Sequence, residues 1–194
     1  MASPGLVASG HPLVTAAAAE ILHAGGNAFD AAVAAGFAAA AAEPALTSLG
    51  GGGFLLVGMA DGRARVYDFF VDTPGRGRRN DSLEPHFVPV TVRFPASEQD
   101  FNVGLGSVAV PGNLAGLLQV HETLGHLSLH TVVSPAVRLA REGVPLNPRQ
   151  AAFLEMLAPI FTLTEGAAAI FAPGGRPPAK GELLRNPDLA DTLE

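Results

Sequence analysis

Gly50-Gly51-Gly52-Gly53-Phe54-Leu55-Leu56-Val57 is the stretch on which the fold turns. Four glycines in a row run into an apolar segment that reads as a central strand. Asp61-Gly62 is a strong turn signal. Arg63-Ala64-Arg65-Val66-Tyr67-Asp68-Phe69 then alternates as a returning strand would, so the spacing predicts a β-hairpin over residues 54–70.

Upstream of the glycines lies Gly25-Gly26-Asn27-Ala28-Phe29-Asp30-Ala31-Ala32-Val33-Ala34, the start of an alanine-rich run that ends at Glu43-Pro44. Asn27 is placed to cap a helix, with Asp30 in its first turn. A helix over residues 28–42 that is apolar on every side belongs inside a protein. Glu43 precedes proline and so avoids the helical region. An earlier helix is predicted from Pro12, with Leu13, Ala16, Ala17, Ile21 and Leu22 on one face and Gly25 just past its end. Leu6-Val7-Ala8 reads as a short strand.

Downstream, residues 72–106 read as a long irregular excursion rich in Pro, Gly, Arg and Asp, with a strand near Val88–Phe94. Ser107-Val108-Ala109-Val110 reads as another strand. Asn113 is predicted to cap a helix carrying Leu114, Leu117, Leu118, His121 and Leu124, which Gly125 ends. A further helix runs through Ser134 to Ala140 and stops at Gly143, and Asn147-Pro148 opens the next. Asn186-Pro187 caps a last helix that begins at Asp188 and has barely two turns by Glu194. Helices that short are not stable alone, so the reading expects a polypeptide cut inside a larger fold.

Composition narrows the function classes. The chain has 194 residues, 48% hydrophobic and 15% charged, which supports a buried core and not a disordered tract. A net charge of −6 argues against a nucleic-acid partner, which wants a basic face. With no cysteine, disulfides and thiolate metal sites are excluded. Residues 31–42 form the most apolar window and are too short to span a bilayer, which takes roughly 20 residues. Met1-Ala2-Ser3-Pro4-Gly5 lacks the features of a secretory signal. The expected location is cytoplasmic, or periplasmic or secreted if a signal peptide was removed.

Several motifs fail on inspection. The four glycines sit in the order helix, glycines, strand, whereas a phosphate cradle needs strand, glycines, helix. His121-Glu122-Thr123-Leu124-Gly125-His126 misses the zinc spacing by one residue, so its histidines diverge on a helix. His126 and His130 are separated by Gly125-flanked, non-helical sequence, and His11 and His23 read as structural. No serine occupies a Gly-x-Ser-x-Gly elbow, Ser107 included. The residues by themselves present no catalytic constellation, and no metal or organic cofactor is implied.

The sequence as a whole resembles the N-terminal, large-subunit part of the γ-glutamyltranspeptidase family. Five blocks carry the likeness in family order: residues 5–32, residues 43–57 with the four glycines, Ser107-Val108-Ala109-Val110-Pro111-Gly112 with His121, Pro135 to Gly143, and Gly181-Glu182-Leu183-Leu184-Arg185-Asn186-Pro187-Asp188-Leu189-Ala190. The resemblance implies an α+β fold: part of the αββα sandwich of the N-terminal nucleophile hydrolases, with alanine-rich helices packed on a β-sheet. It implies a precursor that cleaves itself to expose an N-terminal threonine on a complementary small subunit. The threonine hydroxyl would attack an amide carbonyl with its own α-amine as base. That threonine's Thr-Thr-His-x-Ser/Thr segment is not in this chain; His130-Thr131-Val132-Val133-Ser134 only echoes it. Gly52 and Gly53 are expected to serve tight packing rather than an oxyanion hole.

One substrate residue is expected in this half. The family reads Asp-x-Arg-Glu-x-Ala-Pro after the hairpin, and its arginine grips the glutamyl α-carboxylate. Here the segment is Asp68-Phe69-Phe70-Val71-Asp72-Thr73-Pro74, with Phe70 at the arginine position. A guanidinium pairs with a carboxylate and a phenyl ring cannot. Either the acyl specificity has changed, or Arg76, Arg78 or Arg79 supplies the missing charge. The expected partners are the small subunit and a small-molecule amide, with no nucleic acid and no membrane, and with self-association open. A non-catalytic remnant serving as a binding module is the alternative.

Overall fold

The computed structural model describes residues 5–79 and 84–194. In chain order its elements are α1 (Pro12–His23), α2 (Ala28–Ala42), β1 (Gly53–Gly58), β2 (Ala64–Phe69), β3 (Val88–Phe94), β4 (Ser97–Val103), α3 (Asn113–Leu124), α4 (Leu129–Glu142), α5 (Pro148–Phe161), α6 (Glu165–Phe171) and α7 (Pro187–Leu193). The fold class is α+β, as read. The chain divides into two compact units: one of residues up to Val71, Pro111–Val144 and Arg185–Glu194, the other of Asp72–Val110 and Pro145–Leu184. No helix among the described residues is long and apolar enough to cross a membrane.

The first unit is built around α2. Val33, Ala34, Phe37, Ala38 and Ala42 are enclosed, and α1, α3 and α4 all pack on this helix. Alanine permits that because its small side chain lets neighbouring backbones come close. One core joins Ile21, Val33, Phe37, Val57, Tyr67, Leu117, Val120, Val132 and Ala136, and so ties the hairpin to the helices. Ala190 of α7 is buried with Ala41 and Ala140, and Arg141 pairs with Asp191 and Glu194, both at 2.9 Å. Docking of this kind holds a helix too short to persist alone.

The junction of α2, α3 and α4 is polar. Asn27 caps α2, accepting from the N–H groups of Phe29 at 2.8 Å and Asp30 at 2.9 Å. Asp30 is fully buried, and its carboxylate accepts from the N–H groups of Asn27 at 3.0 Å, His126 at 3.0 Å and Leu127 at 3.4 Å. Asn27 Nδ2 donates in turn to the Leu124 carbonyl at 2.7 Å. Gly125 is required there by space: a Cβ would fall 2.5 Å from the His121 carbonyl oxygen and 2.9 Å from Asp30 Oδ1.

Several local readings change. Leu6-Val7-Ala8 has no regular secondary structure and pairs with no strand among the described residues, and Leu6 is 93% exposed. β1 is not a central strand; β1 and β2 form a two-stranded antiparallel hairpin with one apolar face open. The buried face of α1 is Val14, Ala17, Ala18 and Ile21, one residue round from the predicted stripe, because α2 lies on that side. Asn113 does not cap α3. It is the first helical residue, and its Nδ2 donates to the Ser48 carbonyl at 2.7 Å. The inward face of α3 is Gly116, Leu117 and Val120, leaving Leu114 exposed.

In the second unit, β3 pairs with β4 from Val88↔Val103 to Phe94↔Ser97, and α5 lies on β3. β4 was not foreseen, because Ser97-Glu98-Gln99-Asp100 is poor in strand formers; Arg93–Glu98 and Thr91–Asp100 side-chain pairs stitch it to β3. Of the strand predicted over residues 107–110, Ser107 ends a short 3₁₀ turn that begins at Leu105, and Val110 makes a single antiparallel bridge, to Asp72. The loop before residue 183 is closed by Glu182, which accepts from Arg176 Nη1 at 2.8 Å and Nη2 at 2.7 Å and from the Ala179 N–H at 2.7 Å.

Two outcomes are expected. Asp30→Asn places an amide N–H₂ against main-chain donors and costs about 2–3 kcal/mol in urea unfolding, whereas Asp188→Asn, on an exposed first turn, costs only a few tenths. The Arg176 guanidinium, then the Ala179 N–H, hold the Glu182 carboxyl down to about 2. A depressed carboxylate stabilises above its unfolded value of about 4.3 and loses that contribution as pH falls toward the folded one. The Glu182 resonance should therefore titrate near pH 2, with the 176–182 loop intact at pH 4.5, and Arg176→Gln should return the titration to the ordinary carboxylate range.

Candidate functional site

Phe70 follows directly on β2. Its N–H donates to Asp68 Oδ1 at 3.1 Å, a local turn in which the aspartate side chain substitutes for a backbone acceptor. The glycine run fixes the backbone on either side of it. A Cβ on Gly52 would fall 2.5 Å from the Val71 nitrogen and 2.9 Å from the Phe69 carbonyl oxygen, so only glycine lets the two segments lie together. The Gly51 carbonyl accepts from the N–H groups of Gly112 at 3.1 Å and Asn113 at 3.0 Å. Those are the orphan donors at the start of α3. The run thus presents a carbonyl to a helix end, and Gly52 has the tight-packing role predicted for it.

Helix α3 meets β2 at equally short range. A Cβ on Gly116 would overlap the Phe69 ring. Leu55, Val57, Tyr67 and Phe69 face this core. Tyr67 is 8% exposed, with its hydroxyl 3.1 Å from Thr123 Oγ1 and accepting from Arg65 Nη1 at 3.3 Å. The Thr123 hydroxyl, and then Arg65, draw the phenol below its usual value.

The other face of the hairpin is open. The register sets Phe54 opposite Asp68 and Leu56 opposite Val66, so these four side chains share a face. Phe54 is 62% exposed, Leu56 72%, Val66 60% and Phe70 59%. The Phe70 ring stacks on Phe54, with centroids 5.4 Å apart and planes 13° from parallel. In the sequence Phe54 reads only as part of an apolar strand. Strand alternation was the signal available: Phe54 and Leu56 fall on the side away from Val57.

Arg76, the other candidate, lies in the second unit, where its Nη1 donates to Asp72 Oδ2 at 3.1 Å. Both side chains are mostly exposed, so the pair is a weak one. The histidines have local tasks. His11 Nδ1 accepts from the Leu13 N–H at the start of α1, His23 Nδ1 lies 2.7 Å from the Ala19 carbonyl oxygen, and His121 Nε2 lies 2.9 Å from that of Leu127. Among the described residues no group of three or more His, Cys, Asp or Glu side chains is placed to hold a metal ion.

Comparison with known proteins places this architecture. The γ-glutamyltranspeptidase family profile matches residues 14–194. Similar curated relatives include the acylase ACY 1 proenzyme of Pseudomonas sp. (strain V22), 37% identical over 192 residues that make up 99% of this chain and 34% of the relative. The glutathione hydrolase proenzyme of Escherichia coli (strain K12) is 35% identical over 194 residues, 100% of this chain and 32% of that one. Among solved structures, Helicobacter pylori γ-glutamyltranspeptidase superposes with a TM-score of 0.82 at 32% identity, covering 100% of this chain and 54% of the other. The chain spans about a third of the length of the curated relatives it matches. It belongs to the γ-glutamyltranspeptidase family.

Proposed function

We propose that residues 1–194 are the N-terminal part of the large subunit of an amidohydrolase or acyltransferase whose acyl preference has moved away from γ-glutamyl. The observation that carries this is the exposed, apolar Phe54–Phe70 pair at the position where the resemblance puts a carboxylate-binding arginine. Arg76, the other candidate, pairs with Asp72 in the second unit. The names of the relatives span both chemistries, an acylase and a glutathione hydrolase, and both are proenzymes.

In this reading the nucleophile is an N-terminal threonine on a complementary small subunit. Its hydroxyl oxygen bonds to the amide carbon, and its proton passes through the α-amine to the departing amine. Water or an acceptor amine then takes the acyl group from the threonine ester. The present chain supplies one wall of the acyl site and the helices behind it. Support for a complementary chain comes from a groove of about 570 Å³ between α1, α2 and residues 5–9, floored by Ala28, Ala31 and Ala35. Exposed apolar surface of that kind suits burial by a partner. The cytoplasmic location, or a periplasmic or secreted one after loss of a leader, is carried with this reading.

Intact mass and amide hydrolysis on the product of the full reading frame test it. The expected result is a precursor that splits ahead of a threonine and hydrolyses amides. A product that stays in one piece and hydrolyses none would replace this reading with that of a non-catalytic binding module.

A further inference from the structure

We propose that Phe54, with Phe70, forms the floor of the acyl-group subsite, and that the group it takes is flat, aromatic and uncharged. This rests on the acylase reading above and names the substrate class for the same site.

The shape comes from the rings. They are close to parallel, and each is about three-fifths exposed. A stacked pair that this chain leaves uncovered presents a broad π-face, whose best complement is another ring laid offset or edge-on. Leu56 and Val66 extend the surface with aliphatic groups. The pair is also preorganised. Phe54 sits within β1, while Phe70 is fixed by the Asp68 contact to its N–H and by the close approach of Gly52 to residues 69–71. With the backbone fixed at both positions, the ring torsions are what remains to be ordered on binding.

The charge pattern sets the second condition. On this face of the hairpin the one ionisable side chain is Asp68, an acid. Arg65 is on the opposite face, donating to Tyr67 with its guanidinium carbon 5.9 Å from that ring's centroid. Arg63 belongs to the turn and pairs with Asp61 at 2.6 Å. The hairpin itself meets a carboxylate on the acyl group with an anion and no cation, and to that extent disfavours glutamyl and glutaryl groups. Phe54 becomes a specificity-determining residue with no charge to offer, acting through its ring alone.

The test uses the processed product of the full reading frame and the p-nitroanilides of phenylacetyl, hexanoyl, glutaryl and γ-glutamyl groups. Phe54→Leu keeps an apolar side chain and removes the ring. It should lower kcat/KM for the phenylacetyl substrate about three- to tenfold through KM, and move the hexanoyl value by less than about twofold. Independently of turnover, the ring ¹³C–¹H signals of Phe54 and Phe70 should shift on titration with N-methylphenylacetamide and not with γ-glutamylmethylamide. Ring shifts without hydrolysis of any amide would uphold the subsite and remove the catalytic reading. Hydrolysis with no preference for the aryl group, with Phe54→Leu acting equally on all four substrates, would overturn the subsite and leave the catalytic reading in place. Rings that respond to neither ligand, covered by the complementary chain, would overturn it too.

Discussion

A carboxylate sealed from water and surrounded by main-chain N–H groups holds three helices together at one point. Asp30 satisfies the first turn of its own helix through Asn27 and reaches across to the turn between α3 and α4 through His126 and Leu127. Burying such a group is costly unless it is fully hydrogen-bonded. No buried side-chain nitrogen or oxygen among the described residues lacks a partner. The junction is therefore specific in a way the surrounding alanine surface is not. Alanine packs closely but with little directional preference, and the polar contacts at Asp30 set which helix ends meet.

From that point the constraint passes to the hairpin by close approach. A Cβ on Gly36 of α2 would press on Leu117 of α3 at 2.8 Å, and one on Gly116 of α3 would overlap Phe69 of β2. Gly51 then ties the start of α3 to the glycine run, and Gly52 lies flat against residues 69–71. A helix position, a strand position and the Phe70 backbone are thereby linked through residues without side chains. Interiors packed at this density transmit displacement and do not absorb it. The outer face of the hairpin can thus remain open and apolar without collapsing onto the core.

Much of this was legible in the sequence, and the rest failed for identifiable reasons. The Asn27 cap, the alanine helix, the Asp61-Gly62 turn and the packing role of Gly52 are local signals and were read correctly. In the sequence Asp30 is only a first-turn acid, since its contacts to His126 and Leu127 lie almost a hundred residues away. The face of α1 was off by one residue because a run of alanines gives almost no periodicity to measure. Asn113 has the composition of a cap, but the Gly51 carbonyl already serves the helix end and the side chain goes to Ser48. Phe70 was singled out by the departure from a family pattern. Its stacking partner Phe54 needed the hairpin register, which the sequence suggests and only the structure supplies.

In the proposed function a phenyl ring at position 70 has taken the acyl site away from carboxylate-bearing substrates. The most direct measurement is the ratio of kcat/KM for γ-glutamyl over phenylacetyl p-nitroanilide in the processed enzyme and in its Phe70→Arg variant. Restoring a guanidinium that pairs with a carboxylate should raise that ratio at least about tenfold. A correctly processed variant whose ratio does not move would contradict the account, because position 70 would then have no part in choosing the acyl group.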